Sequence, residues 1–281
     1  MATRTVPRYV RRMMHHSHPQ AAPVGALLRD WRQRRSRSQL DLACEAEIST
    51  KHLSFLETGR SQPSRDMLLH LAELLDVPLR ERNALLLSAG YAPTFRERSL
   101  DDPALAAARR AVDLVLAGHD PYPAIAVDRH WSLVASNRAA GSLLVGIGPA
   151  LLTPPVNVLR LSLHPDGLAP RIVNHGEWRD HLLARLRRQI DASADPVLIE
   201  LHRELSAYPA PAESPAKAGD SNYAGVVVPL QLATAAGVLS MFSTITVFGT
   251  PVDITLSELA LESFFPADAA TAEALRTLAS L

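Results

Sequence analysis

Ser49, Thr50, Lys51, His52 and Ser54 put five short or polar hydrogen-bonding side chains within six consecutive positions. Hydroxyls, an ammonium and an imidazole at the start of a helix donate to base edges and phosphates, the chemistry of reading a duplex rather than of breaking bonds. Catalytic spacings are missing elsewhere. The sequence has no glycine-rich phosphate loop, no Gly-x-Ser-x-Gly elbow and no paired metal-ligand spacing. His164, His175, His181 and His202 are scattered, and Cys44 is expected to pack inside a helix. The chain is read as a non-enzyme with no catalytic residue and no metal site.

The elements that would position the five donors follow from helix signals. Gly25 to Arg35 carries Ala26, Leu27, Leu28 and Trp31 on one side and arginines on the other, an amphipathic stripe. Ser38 caps a second helix whose buried side is expected to be Leu40, Leu42 and Ala43. Glu45 to Ile48 form a short turn before the next cap, Ser49. Leu53 and Leu56 face the third helix to the core and leave the five donors outside. Gly59 ends that helix, Pro63-Ser64 opens a fourth through Leu75, and Pro78-Leu79 opens a fifth ending near Gly90. Five short helices with a leucine core make a helix-turn-helix bundle.

These residues resemble the lambda repressor and Cro family, the xenobiotic-response-element (XRE) class of bacterial regulators, over roughly 24–90. The resemblance rests on Ser38-Gln39, Leu42-Ala43, Ile48-Ser49, Leu56-Glu57-Thr58-Gly59-Arg60 and Pro63-Ser64. It implies that Gln39 touches DNA, that Thr50, Lys51 and Ser54 read bases, and that Arg60 binds phosphate. Glu47 stands where the family usually has Gly in the turn. A non-glycine residue held left-handed there costs roughly 1 kcal/mol, so a differently shaped turn is expected.

Charge points to the same partner, double-stranded DNA. The 29 basic and 29 acidic residues cancel over 281 positions, yet residues 1–99 carry a net +6 and residues 100–281 a net −6. Arg29, Arg32, Arg34, Arg35 and Arg37 form a run suited to phosphate contact or to a solvated helix face. No stretch approaches the roughly 18 apolar residues of a membrane span. One cysteine excludes an intramolecular disulfide and fits a cytoplasmic protein. Residues 1–22 read as a disordered tail, with Met13 and Met14 as alternative starts and His15, His16 and His18 as incidental.

After the helix-turn-helix at 23–91, a connector at 92–120 holds an alanine-rich helix, Ala104 to Ala117. The pattern then changes to Ala124–Val127 and His130–Val134 as a hairpin and a helix from Asn137 to Val145. Helices follow at Trp178–Ile190 and Pro196–Ala207, then a Pro/Ala-rich loop at 209–219. Strands are expected at Ala224–Leu232, Val238–Phe248 and Val252–Glu262, the last two joined by Gly249-Thr-Pro251. The expected layout for 121–266 is a mixed sheet of about five strands with helices on one face, before a C-terminal helix at 267–281, so the fold class is α+β.

Pro123 to Trp131, Asn137, Asn157-Val-Leu-Arg160, Leu163-His-Pro165 and Glu177-Trp178 resemble the MmyB-like ligand-binding domain of actinobacterial regulators, over about 120–265. The resemblance implies a PAS-like fold with an internal apolar pocket and fatty-acid-like ligands in some relatives. From the residues, Trp131, Trp178, Met241, Phe242, Ile245, Val247 and Phe248 are candidate walls, with Asn137, Asn157, Arg160 and His164 as polar groups for a ligand head. Arg160, inside an apolar segment, needs an anionic partner: a ligand, Glu177, Asp180 or solvent.

The expected protein is a homodimeric, sequence-specific transcriptional regulator responsive to a small apolar or acidic, fatty-acid-like ligand, with no cofactor and no membrane partner. A C-terminal domain serving only dimerisation or protein interaction, and a fused enzyme domain, are the alternatives left open.

Overall fold

The structure is a computed structural model and describes residues 22–209, 227–249, 251 and 253–279. The N-terminal tail, nearly all of the Pro/Ala-rich loop and the start of the strand expected at Ala224 lie outside the described residues. The chain divides into two compact units. One runs through Val77 and includes Ala84–Ala92; the other comprises Pro78–Asn83 and the chain from Pro93 onward.

The first unit is built from α1 (Val24–Arg34), α2 (Gln39–Glu45), α3 (Thr50–Glu57), α4 (Arg65–Leu74) and part of α5 (Leu79–Ser88). Serines open three of these helices. Ser38, Ser49 and Ser64 each accept a backbone N–H three residues on, and Asp41 completes a capping box with Ser38. All five helices close the same way, with one left-handed residue and paired backbone bonds back into the last turn. The left-handed residues are Ser36, Glu47, Gly59, Asp76 and Gly90. Glu47, at φ 54°, therefore keeps the turn geometry that glycine would give, against the expectation of a reshaped turn.

Leu28, Leu42, Leu53, Leu56, Leu68 and Leu71 are fully buried and form the bundle core. Leu40 and Cys44, expected inside, are exposed. At 100° per residue the buried stripe of α2 falls on Leu42, Ala43 and Ala46, which turns residues 40 and 44 outward. Gly25 lets α1 lie against α3: a Cβ there would stand 2.3 Å from the Leu56 carbonyl oxygen.

The seam is locked by one carboxylate. Arg32 of α1 donates to Glu57 from Nε (2.6 Å) and Nη2 (2.9 Å), and Gln39 of α2 donates to Glu57 Oε2 at 2.8 Å. Burial pushes the Glu57 carboxyl up, but these donors outweigh it and hold its pKa below the usual range.

The second unit holds a five-stranded sheet in the order β2-β1-β5-β4-β3, from β1 (Ala124–Val127), β2 (Leu133–Ser136), β3 (Leu230–Thr234), β4 (Gly237–Val247) and β5 (Ala260–Pro266). Every pairing is antiparallel, so the sheet is not mixed. Strand alternation divides the packing. Ala124, Ala126 and Leu261 meet Val112 and Leu116 of α6 (Ala106–Gly118), while Ile125, Val127 and Phe264 face a larger core. That core receives α8 (Val158–Leu163), α9 (His175–Ser193), α10 (Pro196–Ala207) and α12 (Ala269–Ala279). Helices therefore cover both faces, not one.

A short α7 (Arg138–Ser142) follows β2. The segment expected as a strand from Val252 instead forms α11 (Ile254–Ser257), because the Asp253 side chain caps Thr255 N–H at 2.9 Å and delays the strand to Ala260.

Two substitutions test this account of the bundle. Glu57→Ala leaves Arg32 buried without its anion and should destabilise the helical unit by about 3–5 kcal/mol in urea titration followed by circular dichroism. Because the folded pKa of Glu57 is depressed, its contribution is present above the unfolded carboxylate pKa and is lost as pH falls through the folded value; an acid arm unaltered by the substitution would contradict the role given to it. Glu47→Gly removes left-handed strain from an exposed residue and should raise stability by about 0.5–1 kcal/mol, where a loss would contradict it.

Candidate functional site

On the helical unit, Ser49, Thr50 and Lys51 stand exposed at the N-terminus of α3, with His52 and Ser54 half-buried behind them. Arg60 is exposed just past its C-terminus. Phe55 links the two ends of this surface, with Lys51 Nζ 5.6 Å and the Arg60 guanidinium 5.7 Å from its ring centroid. The ring limits the wandering of two cations. Phe55 was not singled out from sequence, although its spacing of four from Lys51 places both on one helical face. Gln39, expected at DNA, directs its amide N–H to Glu57.

The arginine run is only partly available to phosphates. Arg32 is paired with Glu57, Arg35 donates to the Leu75 and Asp76 carbonyls at 2.9 Å each, and Arg37 pairs with Glu45. Arg29 and Arg34 are exposed. Three of the five arginines thus bind acceptors within the protein.

In the second unit an apolar cavity of about 110 Å³ lies between the sheet and the helices. Ile125, Leu133, Leu161, Trp178, Leu182 and Met241 supply walls from both strands and helices. Its polar lining side chains, among the described residues, are Ser136, Ser162 and Glu262. Ser162 Oγ accepts the Trp178 indole N–H at 2.9 Å. His181 stacks on Trp178 at 5.5 Å, and its pKa is lowered by burial first and by Arg185 and Arg188 after it.

Of the residues named from sequence as ligand contacts, Trp178 and Met241 line this cavity, while Ile245 and Val247 are exposed. The others are placed as follows. The Asn137 amide joins three segments: its Oδ1 accepts from Ala124 and Ala140, and its Nδ2 donates to Tyr122 and Leu116 carbonyls. Asn157 caps α8 and donates to the His130 carbonyl. Arg160 finds its anion in Glu204, not Glu177 or Asp180, through two bonds of 2.8 and 2.7 Å. His164 packs edge-on to Tyr208, Phe242 stacks on Phe265, and Phe248 packs at the α6 side of the sheet. Asn157 and Arg160 line a separate, more polar pocket with His130 and Glu200.

Trp131 has a left-handed backbone, φ 67°, and donates its indole N–H to Gln189 at 2.8 Å. The Arg185 guanidinium lies 4.2 Å from the Trp131 ring centroid and donates to Glu262 at 3.0 Å. Sequence reasoning missed Glu262 and Arg185. The available signal was an acid at a core-facing strand position, flanked by Leu261 and two phenylalanines.

Among the described residues no helix is long and apolar enough to cross a membrane. A helix-turn-helix domain family matches residues 23–85, and the family described as the MmyB-like transcription regulator ligand binding domain matches residues 108–278. No curated protein gives a significant match. With that match covering more than half of its length, the chain belongs to the MmyB-like transcription regulator ligand-binding domain family, carried behind a helix-turn-helix domain.

Proposed function

We propose that this DNA-binding transcriptional regulator is a homodimer of the XRE class that acts in the cytoplasm and reads a near-palindromic operator. Two copies of α3 would sit one duplex turn apart in the major groove. Ser49, Thr50, Lys51, His52 and Ser54 are the base-reading set, and Arg60, with Gln39 beside the start of α2, contacts the backbone. The observation that carries this reading is the set of exposed Ser49, Thr50 and Lys51 with half-buried His52 and Ser54 on α3, fixed to α1 and α2 through Glu57, because base readout needs donors with little freedom to reorient.

The second unit is proposed as a PAS-like sensor for a small apolar or fatty-acid-like ligand. The apolar cavity of about 110 Å³ supports this, since small-molecule sites are concave and lined mainly by apolar side chains with a few polar groups. A ligand that favours one arrangement of the dimer shifts operator affinity by its preference for that arrangement.

Selection from a random duplex library would supply an operator for gel-shift titration. Lys51→Ala combined with Arg60→Ala should weaken binding roughly 100-fold and reduce the salt slope by about 2, with circular dichroism unchanged. Unchanged affinity in the doubly substituted protein would remove the DNA-reading assignment from α3.

A further inference from the structure

The middle strand of the sheet carries a residue that its position does not favour. β5 is third of five strands, and Ala260, Glu262 and Phe264 alternate onto the face that packs against the helices. A strand over a core places apolar side chains there, and departures from that pattern concentrate at functional sites. Here the position holds a carboxylate whose side chain is only 6% exposed.

Its partners leave it incompletely satisfied. Arg185 Nη1 donates to Oε1 at 3.0 Å, and the Ser243 hydroxyl donates to the same Oε1 at 2.7 Å. Among the described residues Oε2 receives no hydrogen bond. Glu262 is also the one ionisable side chain among the described residues that line the apolar cavity. Oε2 therefore keeps acceptor capacity that a donor entering the cavity can take.

The surroundings decide which donor. Arg185 neutralises Glu262 and is itself held over Trp131, whose indole is anchored on Gln189. Burial, with Arg185 and Arg188, lowers the pKa of His181 and favours its neutral ring. The Glu262–Arg185 pair is then electrically balanced. A ligand carboxylate would bring a second negative charge beside a carboxylate already matched by Arg185, and an ammonium a second positive one beside Arg185, both unfavourable against an apolar lining. A neutral O–H adds a charge-assisted bond and no net charge. The volume is comparable with the roughly 150 Å³ apolar cavity known to take benzene.

We propose that the cavity selects a small neutral alcohol or phenol, whose hydroxyl donates to Glu262 Oε2 while its hydrocarbon fills the apolar space, and that it discriminates against carboxylates of the same shape. This rests on the sensor reading above and narrows the ligand's polar end.

Calorimetric titration of the full chain at pH 7 with toluene, phenol and benzoate separates the contributions of shape, donor and charge. Phenol stays un-ionised there, with a phenolic pKa of about 10. Phenol should bind at least about tenfold more tightly than benzoate, a difference of roughly 1.4 kcal/mol. In Glu262→Gln, the donors Arg185 and Ser243 keep the amide oxygen at the Oε1 place and turn the NH₂ toward the cavity. The phenol-to-benzoate preference should then fall about tenfold or more, with toluene affinity retained as the sign of an intact cavity. Benzoate binding as tightly as phenol to the unaltered protein overturns the proposal, as does an unshifted preference in the variant. The unaltered protein alone decides it if the variant does not fold. Failure of all three probes removes the sensor reading and this proposal together, whereas toluene binding without the phenol preference removes this proposal alone.

Discussion

A carboxylate taken out of water must find its donors inside the protein, and each unit of this chain is organised around one that obeys the constraint differently. Glu57 has donors on both oxygens, from Arg32 on α1 and Gln39 on α2. That arrangement fixes the angle of α3 and with it the polar side chains from Ser49 to Ser54 that stand outside the core. Glu262 has both of its donors on one oxygen and presents itself to a cavity. The first group is used for rigidity, and the second is left with capacity. The difference separates a scaffold from the binding site proposed for the cavity.

Rigidity in the helical unit also comes from its helix ends. Each of the five helices stops on a left-handed residue that returns backbone N–H groups to the last turn, and only Gly59 and Gly90 take that conformation without steric cost. Ser36, Glu47 and Asp76 accept strain so that short connections hold the helices at fixed angles. A bundle this small depends on such local consistency, since its leucine core alone leaves little margin.

Helix starts and stops were legible in the sequence because capping is local chemistry: Ser38, Ser49 and Ser64 each act within three residues of themselves. The same reasoning was weaker where partners are distant. Arg160 announced its need for an anion, but Glu204 lies 44 positions away on another helix. Asn137 and Asn157 looked like ligand contacts, yet their amides satisfy backbone groups that only the folded chain brings near. The segment after Val252 carried strand-forming residues, and a single cap by Asp253 was enough to make its start helical. Glu262 stands out locally as an acid among apolar strand residues, but its place beside the cavity depends on β5 lying mid-sheet, a property of strand order that no local pattern encodes.

The measurement that bears most directly on the central claim is native mass spectrometry of the full chain with a duplex selected from a random library, followed by solvent extraction of the complex. Two chains on one duplex, with a small neutral hydroxylated compound recovered from the protein, are the expected result. A chain that forms no duplex-bound species, or that binds DNA as a bare monomer from which nothing is extracted and to which no apolar probe adds, would contradict it.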